Sequence, residues 1–80
     1  MFMERTTLER DIIKKIGLNI RKERETGALS QRDLSDKLGY RNSYSLYRLE
    51  AGRVDIIDTV ILCRIATALK IPVSRLIKGI

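Results

Sequence analysis

The sequence predicts an all-α fold, five helices with no sheet, on three observations. Apolar residues recur every third or fourth position through most of the chain, which is the repeat of a helix with one buried face. Serine, threonine or aspartate precedes several of these stretches, twice with an acid three residues on, the spacing of a helix-starting capping box. The glycines and the single proline read as punctuation between periodic segments.

The first helix is bracketed by Thr6 with Glu9 and by Gly27, with residues 1–10 as an N-terminal extension leading into it. Leu8, Ile12, Ile16 and Ile20 form its apolar stripe and Ile13 adjoins them, while "RKERE" at 21–25 reads as its solvated end. Ser30 with Asp33 starts a second helix of about two turns, whose Leu34 and Leu38 share a face and whose stop is Gly39 in a left-handed C-cap. The third runs from a cap at Asn42 or Ser43 to Glu50, with "AGR" as its stop. Asp58 caps the fourth, striped by Ile61, Leu62, Ile65, Ala66 and Leu69, and Cys63 lies beside those positions as a small buried hydrophobe. Pro72 opens a short fifth helix carrying Val73, Leu76 and Ile77.

Size and composition narrow the function classes. Eighty residues make one domain, 1–80, and a chain this short buries only about 60% of its unfolded surface, leaving little room for an enclosed active site. Sixteen Lys and Arg against ten Asp and Glu give +6, a field that attracts polyanions. With no histidine and one cysteine, neither a zinc site nor a disulfide framework is expected. The expectation is therefore a non-enzymatic binding module without metal or cofactor, in a reducing cytoplasm. The apolar runs fall far short of the roughly 20 residues that span a bilayer, so no membrane association is expected.

Two short helices joined by a glycine-started turn outline a helix-turn-helix, in which the second helix enters the major groove of DNA. At about 100° per residue, Leu46 and Leu49 point one way while Tyr44, Tyr47 and Arg48 point the other. A tyrosine offers a flat apolar ring and a hydroxyl, so it suits a wet interface with bases and phosphates. Ser43 and Ser45 add hydrogen bonds near the helix start. Arg48 can pair with guanine or clamp a phosphate, and Arg41 and Arg53 flank the helix as phosphate contacts. Tyr40, just after the turn glycine, is assigned to packing.

"IGLNIRKERETGALSQRDLSDKLGY", then "LYRLEAGR" and "LCRIATALKIPVSRLI", carry an Ile-Arg pair with a second arginine three residues on, Leu-Ser-Gln, a Leu-Gly turn, a hydrophobic-Glu pair followed by Gly, and Ile-Ala-x-Ala-Leu. In these pieces, over about residues 16–77, the chain resembles the phage-repressor (Cro/CI, also called XRE) helix-turn-helix family. The resemblance implies a compact five-helix DNA-binding domain that acts as a homodimer on a palindromic operator and regulates transcription as a repressor or autoregulator. It places Gln31, with Arg32 beside it, against phosphate at the start of the second helix, Gln31 also bracing the reading helix. Asn42, Ser43, Tyr44, Ser45 and Arg48 fall on the family's cap and contact positions. Arg24 and Glu50 match a partly buried salt bridge joining the first helix to the end of the third. Two departures stand out: Gly39–Glu50 is one residue longer than the common spacing, and the loop "GRVDIID" is one longer and lacks the frequent proline.

For the dimer, "LKIPVSRLIKGI" offers Ile71, Val73, Leu76, Ile77 and Ile80, more apolar surface than a terminal half-helix hides, with Phe2, Met3 and Leu8 of the N-terminal arm as the competing surface. Two other readings differ in partner. An antitoxin would bind DNA and also grip a toxin or other protein. A basic amphipathic helix, "IIKKIGLNIRKER", would lie on an anionic membrane or a protein.

Overall fold

The computed structural model describes residues 6–80, which form four α-helices and one 3-10 turn and contain no strand. The helices are α1 (Thr7–Thr26), α2 (Gln31–Lys37), α3 (Tyr44–Glu50) and α4 (Thr59–Leu69), followed by the turn Val73–Arg75. Helix α1 begins at Thr7, so the end of the expected extension is already its first turn; Phe2 and Met3 lie outside the described residues. No helix among the described residues is long and apolar enough to cross a membrane.

The helix starts are local chemistry. Thr6 Oγ1 accepts from the Glu9 amide at 3.1 Å, and Asp58 Oδ1 accepts from that of Ile61 at 2.8 Å. At α2 the box is reciprocal: Ser30 Oγ accepts from Asp33 N at 2.9 Å, and Ser30 N donates to Asp33 Oδ2 at 3.0 Å. Those bonds hold the Asp33 carboxyl below its ordinary pKa.

All four helices end in the same way. Just past each cap, an amide returns to a carbonyl five residues back: Leu29 to Arg24, Tyr40 to Ser35, Arg53 to Arg48 and Ile71 to Ala66, at 2.8 to 3.1 Å. This geometry needs a left-handed residue before the returning amide. Gly39 and Gly52 supply it at φ +79° and +70°, but α1 and α4 use Ala28 (+58°) and Lys70 (+57°). Gly27 caps α1 as expected, at an ordinary φ of −80°, and the left-handed residue is the next one, Ala28. Behind the strained Ala28 is a fixed Leu29, whose carbonyl accepts from Arg24 Nη1 at 2.8 Å.

Ile16, Ile20, Leu34, Leu38, Leu46, Leu49, Leu62, Ile65, Ala66 and Leu76 make one core, fed by every element. The apolar stripe of α1 enters it from Ile12 onward. Its first turn overhangs, with Leu8 68% exposed. Gly17 is an exception to glycine as punctuation: it sits mid-helix, buried, where α1 crosses the end of α3. Arg64 fixes another junction by donating from Nη2 to the Leu38 carbonyl.

Three expectations are corrected at the C-terminal end. The fifth helix is a single 3-10 turn, because Asn19 Nδ2 on α1 takes the Leu76 and Lys78 carbonyls at 3.0 and 2.9 Å and so fixes the chain in a path that is not helical. Leu76, assigned to a dimer surface, is fully buried in the monomer core, while Ile71 and Val73 pack half-buried against it. Of that group only Ile77 (45%) and Ile80 (58%) remain exposed. Cys63 faces solvent instead of the core, since the side of α4 that is buried is the one carrying Leu62, Ile65 and Ala66.

Candidate nucleic-acid interface

Seven residues give α3 two turns, and its two sides have opposite characters. Leu46, Leu49 and Glu50 are buried; Tyr44, Ser45, Tyr47 and Arg48 are exposed. The start of the helix settles the choice left open by its sequence in an unexpected way. Ser43 occupies the cap position without a side-chain bond, and Asn42 Oδ1 accepts the Tyr44 amide at 2.9 Å. Asn42 therefore satisfies the donor from one residue further out.

The exposed side chains are organised among themselves. The Tyr44 and Tyr47 rings stack with centroids 6.5 Å apart and planes 26° from parallel. Arg48 lies over Tyr44 at 5.9 Å, and its Nη2 donates to the Arg53 carbonyl at 3.0 Å. A cation over an exposed ring contributes about 0.5–1 kcal/mol, enough to bias rotamers before any ligand arrives. The result is a ridge of flat, hydrogen-bonding groups with a positive end.

The buried side of α3 is anchored by a charged cluster. Glu50 accepts from Arg24 Nε at 2.7 Å and from Nη2 at 3.0 Å, and Gln31 Nε2 donates to the same carboxylate at 3.0 Å. Both ionic side chains are almost fully covered, at 9% and 3% exposure. Hydrogen bonding to Glu50 raises the Arg24 pKa further above its ordinary value, against the opposing effect of burial. Two charges at this depth persist because each is paired bidentately and the leftover acceptor is filled by Gln31.

This arrangement assigns roles to the other sequence-predicted residues. Gln31 braces α3 through its amide nitrogen, which engages one of that nitrogen's two N–H donors. Arg32 is exposed and paired with Asp36 one turn along its own helix at 3.2 Å, a contact of little energetic weight. Arg41 and Arg53 are exposed on either side of α3. Tyr40 is half-buried against the core.

Two cations that sequence reasoning passed over lie nearby. Arg10 and Lys14, four residues apart on α1, line a small cleft with Arg53 and Asp55, and Lys14 rests against Gly52 at the end of α3. Their i, i+4 spacing was the available signal, but only the packing of α1 on α3 brings them beside Arg53.

Among the described residues no three His, Cys, Asp or Glu side chains cluster as metal ligands. Compared with models of known protein families and with curated protein sequences, the chain matches neither.

Proposed function

We propose that this chain is a sequence-specific double-stranded DNA-binding transcriptional regulator, a cytoplasmic repressor or autoregulator of the phage-repressor-like type. In this reading α2, the turn at Gly39 and α3 are a helix-turn-helix, α3 enters the major groove, and a homodimer engages a palindromic operator. The observation that carries it is the division of α3: a solvent face of stacked Tyr44 and Tyr47 with Arg48 and Ser45, on a helix whose reverse is locked by Leu46, Leu49 and the Arg24–Glu50–Gln31 cluster. Rigid presentation of side chains that bond bases and phosphates is what groove reading demands.

In this reading Tyr44 and Tyr47 contact thymine methyls or bases through ring and hydroxyl, and Arg48 takes guanine or a phosphate. Arg41 and Arg53 hold phosphates, joined by Arg10 and Lys14 beside Arg53. A two-fold dimer sets two reading helices about 34 Å apart for half-sites one turn apart. Ile77, Ile80 and the overhanging Leu8 are the apolar residues left exposed for that contact.

The test is binding to duplexes selected from a random pool, measured against salt. If about six phosphates are neutralised per dimer, log K falls with log salt with a slope near −5. Tyr44→Ala and Arg48→Ala each remove about 1–3 kcal/mol of discrimination if the contact is to a base. A salt slope near zero, or unchanged preference in both variants, overturns the proposal.

A further inference from the structure

A second surface borders the α3 face without sharing any residue assigned to DNA; its Thr59, Val60 and Arg64 also line the cleft beside Ser45 and Arg48. Between the end of α2 and the length of α4 runs a groove floored by Leu38, Val60, Cys63 and Ala68, with mainly apolar lining. Val60 is 68% exposed and Cys63 also faces solvent. Lys37, Arg64 and Lys70 stand along the groove, and no acidic residue lines it. Neither Lys37 nor Lys70 is in an ion pair among the described residues, and Arg64 spends its guanidinium on the Leu38 carbonyl, which is neutral.

We infer that this groove docks an acidic, amphipathic helical segment of a different protein. The floor asks for aliphatic side chains, since Leu38, Val60, Cys63 and Ala68 offer carbon and a thiol, with Thr59 and Thr67 as the only neutral polar side chains of the lining. Its cations, with no carboxylate in the groove and only Asp33, one turn before Lys37, acting on one of them, ask for acids flanking those side chains. A second copy of this chain is a poor occupant, because pairing this face with itself brings three cations against three. Nucleic acid fits badly too, for the groove has no aromatic ring to stack a base, and its aliphatic floor lies where a phosphate backbone needs hydrogen bonds. The 11-residue α4 gives a groove of about three helical turns, enough for apolar anchors at i, i+4 and i+7 of the partner. The inference does not rest on the DNA-binding reading.

The experiment follows backbone amide chemical shifts of the intact protein by NMR during titration with a defined probe. The probe is an acetylated, amidated helical peptide with leucines at i, i+4 and i+7 and glutamates on both flanks. Two control peptides carry serine for leucine, or lysine for glutamate. The expected result is saturable shifts confined to residues around Val60, Cys63, Thr67 and Ala68, with neither control peptide producing them. The combined Lys37→Glu and Lys70→Glu exchange on exposed positions weakens binding roughly tenfold at low salt. Val60→Glu abolishes it while the rest of the spectrum stays folded. Equal binding of the serine peptide, shifts scattered over basic residues, or no shifts at millimolar probe each overturn the inference. So do groove shifts that grow with protein concentration alone, which would make the occupant another copy, or groove shifts on adding duplex DNA. Shifts from duplex DNA at Tyr44 and Tyr47, or their absence, speak only to the DNA reading.

Discussion

Replacing Gly17 by alanine sets two effects of opposite sign against each other, and the structure decides between them. Mid-helix, glycine to alanine ordinarily stabilises by about 1 kcal/mol through backbone entropy. At Gly17, however, an added Cβ would stand 2.5 Å from the Leu49 carbonyl oxygen and 2.7 Å from that of Glu50. Ordinary contact begins at 3.4 Å, so the end of α3 must retreat by about 0.9 Å, and both obstacles are backbone that cannot rotate away. Overpacking of this kind costs about 1–3 kcal/mol or more, and the shift also strains the Arg24 to Glu50 pair, whose shorter bond is 2.7 Å. Subtracting the backbone gain leaves about 0–2 kcal/mol, and the strain on the pair keeps the net effect destabilising, which in a domain of this size lowers Tm by up to roughly 16 °C. Gly27→Ala, at the cap that ends the same helix, is the control, since its Cβ meets nothing closer than 3.5 Å and its φ is ordinary; it should be neutral or stabilising by up to about 1 kcal/mol. Urea unfolding of the three proteins, followed by circular dichroism, measures both. A Gly17→Ala protein as stable as the wild type would refute the claim that close approach of α1 sets the position of α3.

Arg24→Met alone should cost about 3–5 kcal/mol by stranding the Glu50 carboxylate, whereas Arg24→Met with Glu50→Met should recover most of the loss; equal instability of single and double variants in urea melts would show that the pair's charge is not the issue. Lys70→Gly should raise stability by about 0.5–1 kcal/mol, the relief of a left-handed lysine less the added freedom of the unfolded chain, and a lower urea midpoint would contradict that. Ser35 Oγ is buried with no hydrogen-bond partner, so Ser35→Ala should stabilise by about 1 kcal/mol through removal of an unsatisfied group and a better helix former; a loss of stability would show that the hydroxyl has a partner in solution.

What the sequence determined by itself is the four segments that are α-helical and where most of them begin. The caps at Thr6, Ser30 and Asp58 act over three residues, so the chemistry that starts those helices is written next to them. The faces of α3 were legible for the same reason, since a two-turn helix with leucines on one side and tyrosines on the other leaves little choice about which side is buried. The ends were less legible. Gly39 stands at the left-handed position, but the αL residues after α1 and α4 are Ala28 and Lys70, because the chain beyond each is held elsewhere and imposes its path.

Only the tertiary structure decided what each exposed-looking or buried-looking residue faces. The terminal segment reads as apolar and helical on its own, yet Asn19, 57 positions before Leu76, binds that residue's carbonyl, and Leu76 is spent in the core. Cys63 neighbours core residues in sequence and faces solvent in space; Gly17 reads as a weak point in a helix and is the site where two backbones meet. In each case the deciding partner is far along the chain. Capping and periodicity are satisfied within a few residues of their own position, whereas burial depends on which distant element arrives to cover a surface.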